Sequence, residues 1–418
     1  MKKVVAVLMA MALSMAALAG CGSGKDETKA PETKADAAET KADAAETKAD
    51  AAETKADAAE TKAEGGSEPS GDPIYIAVAG PMTGDNENYG KGFYNAATMM
   101  AEEWNAKGGC MGRPVEIVQY DDKNSPEEAA SIAQKIASDG NVAGVIGHFA
   151  SGVCMVAAPT YQENKIIEIS PSSSHPDYSG IGEYIFRNNT VIRTEAGAAL
   201  DIAVNDLGKT KIGVISIMTD WGTSTGAIVE ELIAEMGDKV ELVAHEEVEE
   251  SSDDYSPAIT KLNDAGAEVC VCVGMYSLDG PVAKQYKAIN PDIQIIGFSN
   301  AYDEQLLELG GEAVEGMCFP VLFYSGSDDP AIKNYVDGYT EKFGGAPSAL
   351  TSQAYDSVGM LLTAIEECGT TDSETVMKKL YEITYPGVTG ETKFDEIGDV
   401  QKEFVKMTVK DGAFVPMN

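Results

Sequence analysis

The residues of this chain most suited to covalent chemistry are Ser224 and the few histidines. Ser224 lies in a Gly-x-Ser-x-Gly segment, Gly222 to Gly226, which matches the pattern around the nucleophile of many hydrolases. In those enzymes the serine occupies the turn that leaves a strand, whereas here three residues separate the segment from the preceding apolar run. His245 is the only histidine downstream, and it falls in a predicted strand. Hydrolysis through Ser224 therefore stands as an alternative, and under the main hypothesis no catalytic residue is predicted.

Motifs for cofactors and metals are missing from the sequence. It has no Walker loop, no dinucleotide-binding fingerprint and no two histidines at metal-ligand spacing. Besides Cys21, six cysteines occur without the spacing of a zinc site: Cys110, Cys154, Cys270, Cys272, Cys318 and Cys368. We expect neither a cofactor nor a metal, and the sequence leaves the pairing of these cysteines open.

Hydroxyl and aromatic side chains follow several of the predicted strands. They are Ser151, Ser172, Ser174, Trp221, Tyr276 and Ser299. Hydroxyls and free backbone N–H groups at helix N-termini can bind a carboxylate without a full positive charge. Aromatic rings can enclose an apolar side chain. Because such loops recur after several strands, they indicate a ligand site rather than ordinary loop composition.

These loops belong to a regular alternation of strands and helices. Apolar runs predict strands at 74–80, 115–120, 142–147, 166–170, 212–218, 240–245, 269–274 and 294–297. Helical spacing predicts helices at 90–107, 126–139, 226–236, 255–265 and 281–289. The alternation predicts an α/β fold with parallel sheets covered on both faces, and the chain length favours two such doubly wound lobes. Open sheets of this kind bind ligands at the loops that follow their strands.

The chain is strongly acidic. Its 418 residues include 31 Lys and Arg against 68 Asp and Glu, a net charge of −37. Proteins that bind nucleic acid follow its phosphates with basic side chains, so no nucleic-acid partner is expected. The negative field also disfavours anionic ligands such as aromatic acids, whereas a neutral or zwitterionic small molecule is indifferent to it.

The first twenty residues have the features of a targeting segment. Lys2 and Lys3 precede an apolar stretch, 4–17, that is short for a transmembrane helix and typical of a signal peptide. The next residues, Leu18-Ala-Gly-Cys21, resemble the lipobox of bacterial lipoproteins, which implies that Cys21 is diacylated and becomes the first mature residue. We predict a lipoprotein signal peptide over 1–20. The mature protein would face outward from the cell membrane, held by its lipid anchor alone.

Residues 21–72 are predicted to form an acidic stalk that begins at the lipidated cysteine. The heptad Asp-Ala-Ala-Glu-Thr-Lys-Ala occurs four times in succession from 36 to 63. A seven-residue period is typical of a coiled coil, but Ala is the only apolar residue available and acids face each other at helical spacing. A polar, semi-flexible stalk is the preferred interpretation, and self-association through an Ala seam is the alternative.

Short segments spread along residues 74–398 together resemble one known family. They are Gly80-Pro-Met-Thr-Gly84, Tyr89-Gly90, Asn105-Ala-Lys-Gly-Gly109, Tyr120-Asp-Asp122, Ser125-Pro-Glu-Glu-Ala129, Val145-Ile-Gly-His148, Ile169-Ser-Pro171 and Gln353-Ala-Tyr-Asp356. In this order they are similar to the Leu/Ile/Val-binding branch of the type I periplasmic substrate-binding proteins of ABC importers. The resemblance implies two lobes, joined by three crossovers, that close on a ligand. It assigns 74–190 plus 321–396 to lobe 1 and 191–320 plus 397–418 to lobe 2.

The same resemblance implies which residues contact the ligand. Ser151 matches the serine that holds the ligand carboxylate. Ser172 and Ser174 match residues whose carbonyl and side chain receive the ammonium and the carboxylate. The aromatic contacts of the family fall on Tyr89, Trp221, where Tyr is usual, and Tyr276.

Ser299 departs from the family, because it stands where the amino-acid binders carry an acid that pairs with the ligand ammonium. A buried ammonium without a counter-charge is costly, so Asp279, Asp303 or water would have to substitute. The resemblance implies a non-enzymatic binding protein that delivers a branched-chain or related amino acid to an ABC importer permease. An amide- or urea-like ligand and a sensory receptor with the same lobes remain alternatives.

Overall fold

The computed structural model of the chain describes residues 68–417. The predicted signal peptide, Cys21 and the four repeats lie outside these residues. No helix within the described part has the length and apolar character needed to cross a membrane. The six cysteines in this part are unpaired, and all except Cys368 are buried.

The first section of the described chain builds one parallel sheet and its helices. Its elements are β1 (Ile74–Gly80), α1 (Glu87–Ala106), β2 (Val115–Asp121), α2 (Pro126–Asp139), β3 (Val142–Gly147), α3 (Ser151–Glu163), β4 (Glu168–Ser170) and β5 (Ile185–Arg187). These strands form a five-stranded sheet in the order β2-β1-β3-β4-β5, and all four pairings are parallel. We call this sheet, with the helices that pack on it, the first lobe.

The next section repeats the pattern. Its elements are α4 (Ile192–Asp201), β6 (Lys211–Ile217), α5 (Asp220–Glu235), β7 (Glu241–Val248), α6 (Ser256–Asp264), β8 (Val269–Val273), α7 (Tyr276–Ile289), β9 (Gln294–Ile296), α8 (Glu304–Gly310) and β10 (Cys318–Val321). All five residues of β8 are buried, as expected for a central parallel strand covered on both faces.

The final section contributes to both lobes. It comprises α9 (Pro330–Phe343), α10 (Ala349–Cys368), α11 (Ser373–Leu380), β11 (Tyr385–Gly387), β12 (Gly390–Thr392), β13 (Val405–Lys410) and β14 (Ala413–Pro416). Helix α10 packs against α1 and β3 of the first lobe. Strand β13 joins β10 and pairs antiparallel with it, which completes a seven-stranded sheet, β14-β13-β10-β9-β8-β6-β7, the basis of the second lobe.

The predicted fold class, α/β with two doubly wound lobes, is confirmed. The chain crosses between the sheets after β5, after β10 and after β12, which gives three crossovers. Side-chain contacts link two of these crossings to the first lobe. Arg187 forms an ion pair with Asp399, in which Nε and Oδ1 are 2.5 Å apart. The side-chain N–H of Asn188 donates to the Gln353 carbonyl at 2.8 Å.

Two helices begin five or more residues earlier than the sequence predicts. Helix α5 begins at Asp220 rather than 226, where the Thr219 hydroxyl oxygen accepts the N–H of Gly222. The glycines of α5 are residues that often interrupt a helix. Gly226 is nevertheless required here by the packing of α5 against His245, because a Cβ at this position would lie 2.6 Å from Cε1 of His245. Helix α7 likewise begins at Tyr276, five residues before the Pro281 that suggested its start.

Candidate functional site

A cleft lies where the carboxyl ends of the two sheets face each other. Its lining follows β2, β3 and β4 in the first lobe and β6 to β9 in the second. It contains about 700 Å³ of empty space, including the part open to solvent. In each sheet the strand order reverses at this edge, between β1 and β3 and between β6 and β8, where open α/β sheets bind ligands.

The first lobe contributes hydrogen-bond donors to the cleft. Helix α3 begins at Ser151, and the preceding Ala150 gives no side-chain cap to its first N–H groups, although both residues line the cleft. The hydroxyl oxygen of Ser151 accepts the N–H of Ser174 at 3.3 Å. The Ser172 hydroxyl donates to the carbonyl of Phe149 at 2.7 Å. Since uncapped N–H groups at a helix start bind anions, this wall suits a carboxylate.

A buried polar network supports this wall from behind. The ring nitrogens of His148 lie 2.6 Å from Oδ2 of Asp122 and 3.1 Å from Oη of Tyr161. The His148 carbonyl accepts the Ser172 hydroxyl at 3.2 Å. His148 is fully buried and both of its nitrogens have partners, so it positions the loop after β3.

Aromatic rings form a wall that spans both lobes. The Tyr89 ring stacks on Phe149, with centroids 4.2 Å apart, and on Tyr276 of the second lobe at 5.2 Å. The Tyr89 hydroxyl donates to the carbonyl of Asn300 in the second lobe at 2.8 Å. Burial raises the pKa of Tyr276 to about 12 and that of Tyr89 well above its usual range, so both phenols stay protonated.

A second contact between the lobes involves Trp221 in the first turn of α5. Its Nε1–H donates to the Ser174 hydroxyl oxygen at 3.1 Å. Of the predicted ligand contacts, Ser151, Ser172 and Trp221 line the cleft. Ser174 and Tyr89 touch the lining residues Ser151 and Phe149, and Tyr276 stacks on Tyr89.

Ser299 is the predicted contact that the structure does not bring to the cleft surface. It is buried, and its N–H donates to Oε1 of Glu195 at 2.6 Å. The two acids predicted to substitute for it also lie elsewhere. Asp279 is fully buried, and burial raises its pKa to about 8, so it is protonated at neutral pH. Asp303 caps α8 by accepting the N–H of Gln305.

Among the lining residues of the second lobe that the sequence reasoning did not assign to the site are Asp220, Glu250 and Asn300. Each follows a strand of the second sheet, and this position after a strand is the sequence feature that could have identified them. Glu250 is half-buried, and burial raises its pKa. Acids in loops resemble solvated surface residues, so only the fold identifies Glu250 as part of the site.

The geometry around Ser224 is not that of a hydrolase. Ser224 lies within α5, and its hydroxyl donates to the Trp221 carbonyl at 3.1 Å. His245 instead lies 2.6 Å from the Ser216 hydroxyl and 2.6 Å from a Glu230 oxygen. That Ser-His-Glu arrangement is covered, because Ser216 is fully buried beneath α5. Within residues 68–417, no three His, Cys, Asp or Glu side chains are grouped as a metal site requires.

Comparisons with known proteins agree with this architecture. The periplasmic binding protein family model matches residues 73–413. A leucine-, isoleucine-, valine-, threonine- and alanine-binding protein of Pseudomonas aeruginosa is 28% identical over 331 residues, covering 79% of this chain and 88% of that protein.

Solved structures give the same result. A leucine binding protein from Thermotoga maritima superposes with a TM-score of 0.76 and 26% identity, covering 82% of this chain and 98% of the other. A solute binding protein from Rhodopseudomonas palustris in complex with 3,4-dihydroxybenzoic acid reaches the same TM-score of 0.76 at 20% identity, over 82% of this chain and 96% of that one. The latter likeness concerns the fold alone.

Proposed function

The chain belongs to the periplasmic binding protein family, of the branched-chain amino-acid ABC transporter type, and from that premise we propose that it captures a branched-chain or related amino acid outside the cell. Tyr89, Ser151, Ser172, Ser174, Trp221 and Tyr276 are the proposed ligand contacts, whereas Ser299 is buried against Glu195 behind the cleft surface. Lobe 1 would comprise 74–190 plus 321–396, and lobe 2 would comprise 191–320 plus 397–418. No enzymatic step is part of the proposal.

The observation that carries the proposal is the opposite character of the two walls of the cleft. The first lobe offers the uncapped start of α3 and serine hydroxyls, whereas the second offers the half-buried Glu250 carboxylate. A zwitterion matches both walls, because its carboxylate faces donors and its ammonium faces an acid. The rings of Phe149 and Trp221, which line the cleft, suit an apolar side chain.

Ligand capture would proceed by closure of the lobes. The bonds from Tyr89 to Asn300 and from Trp221 to Ser174 join the two lobes across the cleft. A ligand that contacts both walls stabilises the arrangement in which these bonds exist, and so shifts an open ensemble toward the closed form. The closed form would then deliver its ligand to an ABC importer permease.

The proposed location is the outer face of the cell membrane, with Cys21 as a lipid anchor beyond the described residues. Two acyl chains on one residue suffice for stable anchoring without a spanning helix. Replacing Cys21 with Ala should abolish labelling of the protein with a fatty-acid probe. Undiminished labelling of the Cys21→Ala variant would contradict the anchor.

A thermal-shift panel tests the ligand class. The full chain is unfolded and refolded in mild detergent to remove carried ligand, then heated with each amino acid, urea, short amides or aromatic acids. Ligand at about a hundred times its dissociation constant adds about 2.7 kcal/mol of stability. We expect leucine, isoleucine or valine to raise the melting temperature. If no amino acid raises the melting temperature, the proposal is refuted.

An amide- or urea-like ligand is the second candidate, and Ser299 favours it. The chain lacks the family's acid at this position, and a neutral ligand needs no counter-charge there. In the same panel a shift with amides, but with no amino acid, would identify this function.

A further inference from the structure

The acidic side chains that line the cleft, Asp220 and Glu250, both belong to the second lobe. No lysine or arginine of the described chain accompanies them in the lining. The cleft therefore holds negative charge that its own walls leave unpaired.

Glu250 is the acid better placed for a cationic partner. It follows β7 and is half-buried between the lobes. Within residues 68–417, the one hydrogen bond to its carboxylate comes from the Ser277 hydroxyl at 3.3 Å. A half-buried carboxylate with a single weak donor gains more from an ammonium than a solvated one does.

Asp220 differs from Glu250 both in its burial and in how its charge is already stabilised. It is exposed and occupies the first turn of α5, where the helix dipole already stabilises a negative charge. It also faces the start of α3, because a Cβ added to Gly152 would lie 2.8 Å from Oδ2 of Asp220. That end of the cleft is the one suited to the ligand carboxylate.

Two further acids near the cleft, Glu195 and Asp279, are committed elsewhere. The Glu195 carboxylate accepts the N–H of Ser299 and is almost fully buried. Asp279 has no hydrogen-bond partner in the described chain and lies beneath Gly274 and Gly297, away from the lining. Neither presents a free carboxylate to the cleft.

Resting on the proposed function, we propose that Glu250 supplies the counter-charge for the ligand ammonium in place of the acid missing at Ser299. The site then selects compounds that carry a free amino group together with a carboxylate. It discriminates against carboxylic acids of the same shape that lack the amino group.

Titration calorimetry with two probes tests this inference on the full chain in detergent. The probes are leucine and 4-methylpentanoate, which is leucine without its amino group. Glu250→Gln keeps the side-chain shape and removes the charge, and Glu249→Gln removes a neighbouring exposed charge as the matched control. We expect Glu250→Gln to weaken leucine binding by about ten- to a hundredfold while 4-methylpentanoate binding stays within twofold. The control variant should bind both probes as the wild type does.

Three results would overturn the inference. Leucine affinity within twofold of wild type in Glu250→Gln would remove Glu250 from the ammonium site. A larger loss in Glu195→Gln than in Glu250→Gln would assign the counter-charge to Glu195. If Glu250→Gln fails to fold, Glu250→Asp must still favour leucine over 4-methylpentanoate, and equal affinities would contradict the proposal. Absence of leucine binding in the wild type is a separate result, which contradicts the proposed function itself.

Discussion

Replacing Asp279 with Asn should remove a large pH-dependent penalty from the stability of this protein. The Asp279 side chain is fully buried, and neither carboxyl oxygen has a hydrogen-bond partner in the described chain. Burial raises its pKa from 3.8 to about 8. Asparagine has nearly the same shape and carries no titrating proton, so the variant isolates this one carboxyl group.

The sign and size of the effect follow from proton linkage. Between about pH 4 and pH 8 the unfolded chain releases the Asp279 proton while the folded chain retains it, so stability falls as pH rises. Each pH unit within that window costs about 1.4 kcal/mol. The stability of Asp279→Asn relative to wild type should therefore rise by about 3 to 4 kcal/mol between pH 5 and pH 8.

Urea denaturation of both proteins at half-unit pH steps measures this difference. Other buried acids also titrate, so the quantity to follow is the wild-type curve subtracted from the variant curve. Asp238→Asn, which removes an exposed carboxylate, is the matched control and should run parallel to wild type. If the stability of Asp279→Asn changes with pH in parallel with that of the wild type, Asp279 is not protonated in the folded protein. The variant should also bind leucine normally, because Asp279 does not line the cleft.

Three further substitutions test the site and its scaffold. Tyr89→Phe removes the 2.8 Å hydrogen bond to the Asn300 carbonyl, which contributes about 1 kcal/mol. Leucine affinity measured by calorimetry should therefore fall about fivefold. An unchanged affinity would show that this hydrogen bond does not contribute to lobe closure. Ser151→Ala should weaken leucine binding by about ten- to a hundredfold through loss of a hydrogen bond to a charged group, and a change below twofold would argue against a carboxylate contact. Gly226→Ala places a Cβ 2.6 Å from His245 and should cost about 1 to 3 kcal/mol in urea denaturation, whereas wild-type stability would show that the ring yields freely.

Local signals in the sequence were sufficient for several elements. The bounds of β1, α2 and β3 are those predicted, because apolar runs and the Ser125 cap mark them without help from distant residues. The sequence predicts later starts for α5 and α7 than the structure shows, since Gly222, Gly226 and Pro281 are residues that often interrupt a helix. Their compatibility with a helix depends on neighbours such as His245, which the sequence does not reveal.

The sequence by itself determined the α/β alternation and the two-lobe class, and it predicted the candidate site at the strand ends. It also placed Ser151, Ser172 and Trp221 in that site, because parallel strands bring the residues that follow them to one edge. Only the tertiary structure decided where the charges of the cleft lie. Glu195, 104 positions earlier, accepts the N–H of the buried Ser299, and the loop after β7 brings Glu250 into the cleft lining. Such orientations depend on contacts between residues far apart in the chain, and no local pattern encodes them.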